Sequence, residues 1–82
     1  MKTEGQIIAK EIKYTENRLD NSKFEYKSDY IRKDLIALYS IESKLDCKSL
    51  EQQYKIETKM YDKEGVMFDD TKWQILNNLL NK

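Results

Sequence analysis

The stretch Ile31-Arg32-Lys33-Asp34-Leu35-Ile36-Ala37-Leu38-Tyr39-Ser40-Ile41-Glu42-Ser43-Lys44-Leu45 decides the fold. Ile31, Leu35, Leu38, Ile41 and Leu45 recur at i, i+4, i+7, i+10 and i+14, which places them in one stripe on an α-helix. Nothing in the segment interrupts a helix. The whole chain carries no proline and only two glycines, Gly5 and Gly65.

Working outward, Ser28 or Asp29 is positioned to cap this helix, which reaches Asp46. Before it, Ile8, Ile12, Thr15 and Leu19 form a second stripe with Ile7 and Tyr14 beside it, ended by Asp20-Asn21-Ser22. Short polar side chains there compete with helical backbone bonds. After it, Asp46 or Ser49 caps a third helix, and Ser49 with Gln52 has capping-box spacing. Leu50, Tyr54 and Tyr61 give its stripe, flanked by Ile56 and Met60. Gly65 suits a left-handed C-cap, and Val66-Met67-Phe68 reads as an apolar connection. Asp69 caps the last helix, with Phe68 and Trp73 at the spacing of a hydrophobic staple and Ile75, Leu76, Leu79 and Leu80 as its apolar face. The sequence therefore predicts an all-α fold, a small compact bundle of four helices in one domain (1–82). The helices span about 3–19, 28–46, 49–63 and 70–81.

The back of the second helix is unusual. Ile36, Ser40, Ser43 and Cys47 line it, where an outward face normally carries Lys and Glu. Small side chains let another helix come close, so this helix is expected to be covered on two sides. The cover is either the last helix or, if the face is a partner groove or homodimer seam, a second molecule.

Charged residues make up 37% of the chain, yet the formal net charge is zero, so no global field draws it to nucleic acid or an anionic membrane. One cysteine makes no intramolecular disulfide and no metal-ligand pair, which suits a reducing interior. The start, Met1-Lys2-Thr3-Glu4, runs into an amphipathic pattern rather than an apolar leader, and no segment is apolar enough to span a membrane. A cytoplasmic setting is expected, the host cytoplasm if the source is a phage. Lys, Asn, Ile, Tyr and Phe far outnumber Gly, Ala, Arg and Pro, the codon signature of an AT-rich genome such as a low-GC bacterium, its phage or a mobile element.

Catalytic chemistry finds little to use. Glu11, Glu42 and Glu57 lean toward the stripes of three helices, but di-iron bundles also need histidines and this chain has none. Pairing with Lys or Arg, or with Tyr hydroxyls, is the expectation for these carboxylates. Cys47 has no histidine to activate it, and the two glycines are too far apart for a phosphate loop. The residues predict no catalytic group, no cofactor and no metal.

Binding residues are better represented. Tyr26 and Tyr30, with Phe24, cluster between the first two helices where a polar turn would suffice. Exposed aromatics of this kind concentrate interface energy. Lys48, Lys55, Lys59 and Lys63 line one side of the third helix, a stripe suited to a phosphate backbone. Glu51 and Asp62 border it, and only Arg18 and Arg32 offer guanidinium groups for reading bases.

In size, helical content and AT-rich bias the chain is similar to small phage-encoded inhibitors, anti-defence proteins included, and it looks like four-helix bacteriocin-immunity proteins. The likeness is one of class and rests on no motif. The sequence reading is thus a non-enzymatic protein–protein interaction module, an inhibitor or regulator, using Phe24, Tyr26 and Tyr30 or the Ile36, Ser40, Ser43 and Cys47 face. The alternatives are a nucleic-acid-binding regulator using the lysine stripe and an immunity-like or structural helical protein.

Overall fold

The computed structural model describes residues 3–22 and 25–81, with side chains for 3–22 and 27–81. The chain is an all-α four-helix bundle: α1 (Glu4–Asp20), α2 (Glu25–Lys44), α3 (Leu50–Glu64), a 3₁₀ turn (Gly65–Met67) and α4 (Thr71–Leu80). Among the described residues no helix is long and apolar enough to cross a membrane.

Each boundary has a local cause. Thr3 caps α1 through a reciprocal box with Gln6, a signal that the sequence reading passed over. Ser49 and Gln52 make the expected box at α3, with bonds of 3.2 and 2.9 Å. The expected cap of α2 is corrected. The helix already runs at Glu25, so Ser28 and Asp29 sit inside it. Their polar side chains are occupied there: Ser28 donates to Ser22, and Asp29 pairs with Arg32 at 3.4 Å. At α4 the N-cap is Asp70 rather than the expected Asp69, and the helix begins one residue later than the spacing suggests; the Asp69 carboxylate accepts from the Thr71 N–H at 3.2 Å from just outside it. Gly65 has positive φ (62°), but its ψ of −129° lies outside the left-handed helical region. A residue with a Cβ is strained there on backbone grounds alone, since nothing else crowds the position.

Ile8 and Ile12 of α1, Leu35, Leu38 and Ile41 of α2, Leu50 of α3 and Leu76 of α4 form one buried cluster. Full burial of each such side chain stabilises the fold by about 1.5–3 kcal/mol. Thr15 completes the α1 stripe in the interior by returning its hydroxyl to the Glu11 carbonyl at 2.8 Å. Between α3 and α4 the rings of Tyr54 and Trp73 stack at 5.9 Å, and Tyr61 lies 5.2 Å from both Trp73 and Phe68. Phe68 and Trp73, the predicted staple pair, thus both lean on Tyr61. The Trp73 indole donates to Thr58 and the Tyr54 hydroxyl to Asn77, so the polar ends of these two half-buried rings are both bonded.

The third helix corrects the sequence reading most. Its buried line is Leu50, Gln53 and Glu57 rather than Leu50, Tyr54 and Tyr61. Gln53 reaches the end of α2 and donates to the carbonyls of Ile41 (3.1 Å) and Lys48 (3.2 Å). The Glu4 carboxylate of α1 accepts from the Leu50 N–H at 3.1 Å. Specific polar partners, invisible to an apolarity count, turn the helix about its axis.

α4 does pack against α2, but along its flank. Lys72 reaches Ser40 and Asp69 pairs with Lys33, while Ile36, Ser43 and Cys47 stay exposed. Among the described residues, the back of α2 is therefore not covered.

Removing the Gln53 carboxamide leaves two carbonyls without their donor. Gln53→Ala is expected to lower the unfolding free energy by about 1–3 kcal/mol. The readout is a lower urea midpoint at unchanged slope, and an unchanged midpoint would show that the amide is replaceable by water.

Candidate functional site

α2 and α3 meet at the turn around 45–49 and diverge from it, with α4 lying across the base. The divergence leaves an open groove of about 300 Å³. Its floor is Leu76, Gln53 and Glu57, and its α3 wall is Ile56 and Met60. Lys44 and Lys48 stand at the closed end, and Glu64, Phe68 and Asp69 at the open end. Ile56 and Met60 are 41% and 42% exposed, although α3 has buried positions that it gives to Gln53 and Glu57. Beyond Glu64 the 3₁₀ turn holds Val66 and Met67 almost wholly in solvent, at 101% and 85%. Large apolar side chains thus line the groove wall, and two more stand exposed on the turn that follows α3. Exposed apolar groups gathered in a groove mark an interaction surface more often than a scatter of single residues does.

The charged groups inside the groove are held in place. Glu57, with its side chain 10% exposed, pairs with Lys72 at 3.6 Å, and Lys72 also reaches Ser40. The pairing that the sequence reading expected for Glu57 is present. Glu42, expected to lean inward, is exposed instead, because the core side of α2 is filled by Leu38, Ile41 and Leu45. Glu11 is half-buried. Asp69 accepts from both the hydroxyl and the N–H of Thr71, and these bonds hold its carboxyl below the usual range, helped by Lys33. Partial burial pushes the Asp34 carboxyl up against the pull of Arg18 and Lys33. The hydrogen bond that Tyr39 donates to Glu16 raises its phenol, with burial and the Glu16 and Glu42 charges adding to it. Among the described residues no three of Cys, Asp and Glu are gathered as metal ligands.

The predicted binding residues fall on separate surfaces. Phe24 and the side chain of Tyr26 lie outside the described residues. Tyr30 is exposed over a wide hollow of about 830 Å³ that it shares with Tyr14 and Arg18, the guanidinium sitting 5.9 Å from the Tyr14 ring. Ile36 and Ser43 share the outer side of α2, Ser40 leans toward α4, and Cys47 lies in the turn beyond the helix, which ends at Lys44 rather than at the expected Asp46. Of the lysine stripe, Lys55 pairs with Glu51 at 3.5 Å, Lys48 turns to the groove, and Lys59 and Lys63 are exposed on α3. The groove itself was not singled out in advance. Its only sequence signal was the pair Ile56 and Met60, apolar residues beside the expected stripe.

No protein-family model, no curated protein and no solved structure matches this chain.

Glu57 and Lys72 test how the groove floor is held. Lys72→Met alone leaves a nearly buried carboxylate without its cation and is expected to lower stability by about 1–3 kcal/mol. Adding Glu57→Leu should recover most of that loss in urea denaturation, because the charge and its desolvation go together.

Proposed function

We propose that this protein is a non-enzymatic protein-binding module that takes an amphipathic helix of its partner into the groove between α2 and α3. The observation that supports this most is the pair of exposed apolar side chains Ile56 and Met60 beside a floor that already contains Leu76, with Phe68 at the end of the groove. A helix presenting apolar residues at i, i+3 or i+4, and i+7 fits such a groove. From Gln53 to Glu64 the α3 wall spans about 16 Å at a rise of ~1.5 Å per residue, enough for about three turns of a partner.

Charge gives the docked helix a direction. Lys44 and Lys48 sit at the closed end and Glu64 and Asp69 at the open end. The negative C-terminal end of a helix is favoured near the lysines and its positive N-terminal end near the carboxylates. A module that binds in this way acts stoichiometrically, as an inhibitor or regulator that occludes its partner's surface. Small size and the AT-rich residue bias suit carriage by a phage or mobile element of a low-GC bacterium.

The experiment is affinity capture from a low-GC bacterial lysate after nuclease treatment, with the bound protein identified by mass spectrometry. Ile56→Asp and Met60→Asp are exposed changes and should leave the helical circular dichroism intact while reducing retention of that protein at least about tenfold, the equivalent of ~1.4 kcal/mol. Equal retention by the folded variants would overturn the groove as the docking site. Recovery of nucleic acid, with all protein bands lost on digestion, would favour the lysines of α3 instead.

A further inference from the structure

The hollow beside the α1–α2 hairpin is built from two facing helix edges. Tyr14, Asn17, Arg18 and Asn21 stand at i, i+3, i+4 and i+7, so they share one edge of α1, with Asn21 as its C-cap. Lys27, Tyr30 and Ile31 repeat the spacing i, i+3, i+4 on α2. Ile31 is buried beneath, whereas Tyr14 and Tyr30 are 57% and 72% exposed. The space between the two edges is about 830 Å³, within the range of sites that hold small organic ligands.

Charge singles this hollow out. The chain has 15 acidic and 15 basic residues, yet the lining holds two cations, Arg18 and Lys27, and no carboxylate. The Arg18 guanidinium sits 5.9 Å from the centre of the Tyr14 ring, which fixes a cation beside one of the two phenols. Arg18 also feels the Asp34 carboxylate, but Asp34 lines the neighbouring notch with Leu38 and Ile75 and not the hollow. The exposed Asn17 amide offers a donor and an acceptor together.

Rings, cations and amides in one space select a ligand class. A flat heteroaromatic ring stacks on a phenol, an anionic group pairs with a guanidinium, and an amide meets a mixed donor and acceptor edge. A simple inorganic anion would leave the rings unused, and an apolar ligand would leave the cations unused. We infer that the hollow between α1 and α2 is a nucleotide site, in which the base stacks on Tyr30 and the phosphate is bound by Arg18 and Lys27. The hollow shares no lining residue with the α2–α3 groove, so the site stands independently of the function proposed above.

An amide NMR titration of the full chain with AMP reads the site residue by residue, and AMP suffices as the probe because every base has a face that stacks. Saturable shifts are expected at Asn17, Arg18, Lys27 and Tyr30, with Ile56 and Met60 unmoved. Adenosine, which lacks the phosphate, should bind at least about tenfold more weakly, the value of a hydrogen bond to a charged group. Tyr30→Ala should weaken AMP at least about fivefold, the lower end of what one stacked base contributes. Arg18→Gln should weaken AMP but not adenosine, a split that a merely structural role would not produce. Both positions are exposed, so the helical circular dichroism should be unchanged. A short single-stranded oligoadenylate, at equal nucleotide concentration, separates the two sources of the ligand. Tighter binding than AMP assigns the site to a strand, and equal or weaker binding assigns it to the free nucleotide. The absence of saturable shifts with both probes at millimolar concentration, or an AMP affinity unchanged in both folded variants, would overturn the inference.

Discussion

The arrangement of the whole chain depends on one buried side-chain amide. Where α2 ends, the Leu45 N–H bonds to the Glu42 carbonyl, and the Ile41 carbonyl accepts from Gln53 of α3 instead. The same amide nitrogen donates to Lys48 within the turn. A buried carbonyl without a donor is costly, so this contact specifies which residue of α3 faces the end of α2. With the Glu4 carboxylate on the first N–H of α3, it pins the start of that helix from two sides. Everything C-terminal to Leu50 follows the direction set there.

The surface chemistry is a consequence. Once Gln53 and Glu57 occupy the inward line of α3, its apolar residues divide between two other directions. Tyr54 and Tyr61 turn to α4, where Trp73 and Phe68 receive them, and this aromatic contact holds α3 and α4 together. Ile56 and Met60 are left on the far side, along the groove. The exposed apolar wall is thus the counterpart of a polar interior line. The Glu57–Lys72 pair makes that line tolerable, since a carboxylate so nearly buried needs a cation beside it.

The flattened shape, 36 × 36 × 21 Å, explains the second surface. α1 and α4 lie to either side of α2 rather than wrapping it, so the longest helix is covered on its core side and flanks and bare along its ridge. Ile36 and Tyr39 remain in solvent there although the two adjacent helices are within hydrogen-bonding distance of the ridge. Two outward surfaces of different character result, a groove with lysines at one end and carboxylates at the other, and a convex ridge that exposes Ile36 and Tyr39.

The four helices, the stripes Ile8–Ile12–Thr15 and Ile31–Leu35–Leu38–Ile41, and the Ser49–Gln52 cap were legible in the sequence because each is a local pattern. Periodicity places apolar residues on one face, and a cap needs only residues three apart. The start of α2 was misread because Ser28 and Asp29 have the chemistry of caps, and only the surrounding contacts show that they are used inside the helix. That Glu57 would be paired was legible, but the rotation of α3, the choice of Lys72 as its partner and the groove were not, since each depends on partners 12 or more residues away. The sequence alone thus determined which segments are helical and which residues form most of the core, through hydrophobic spacing and backbone propensity. The tertiary structure alone decided which side of each helix remains in water, because that depends on where buried polar groups find their partners.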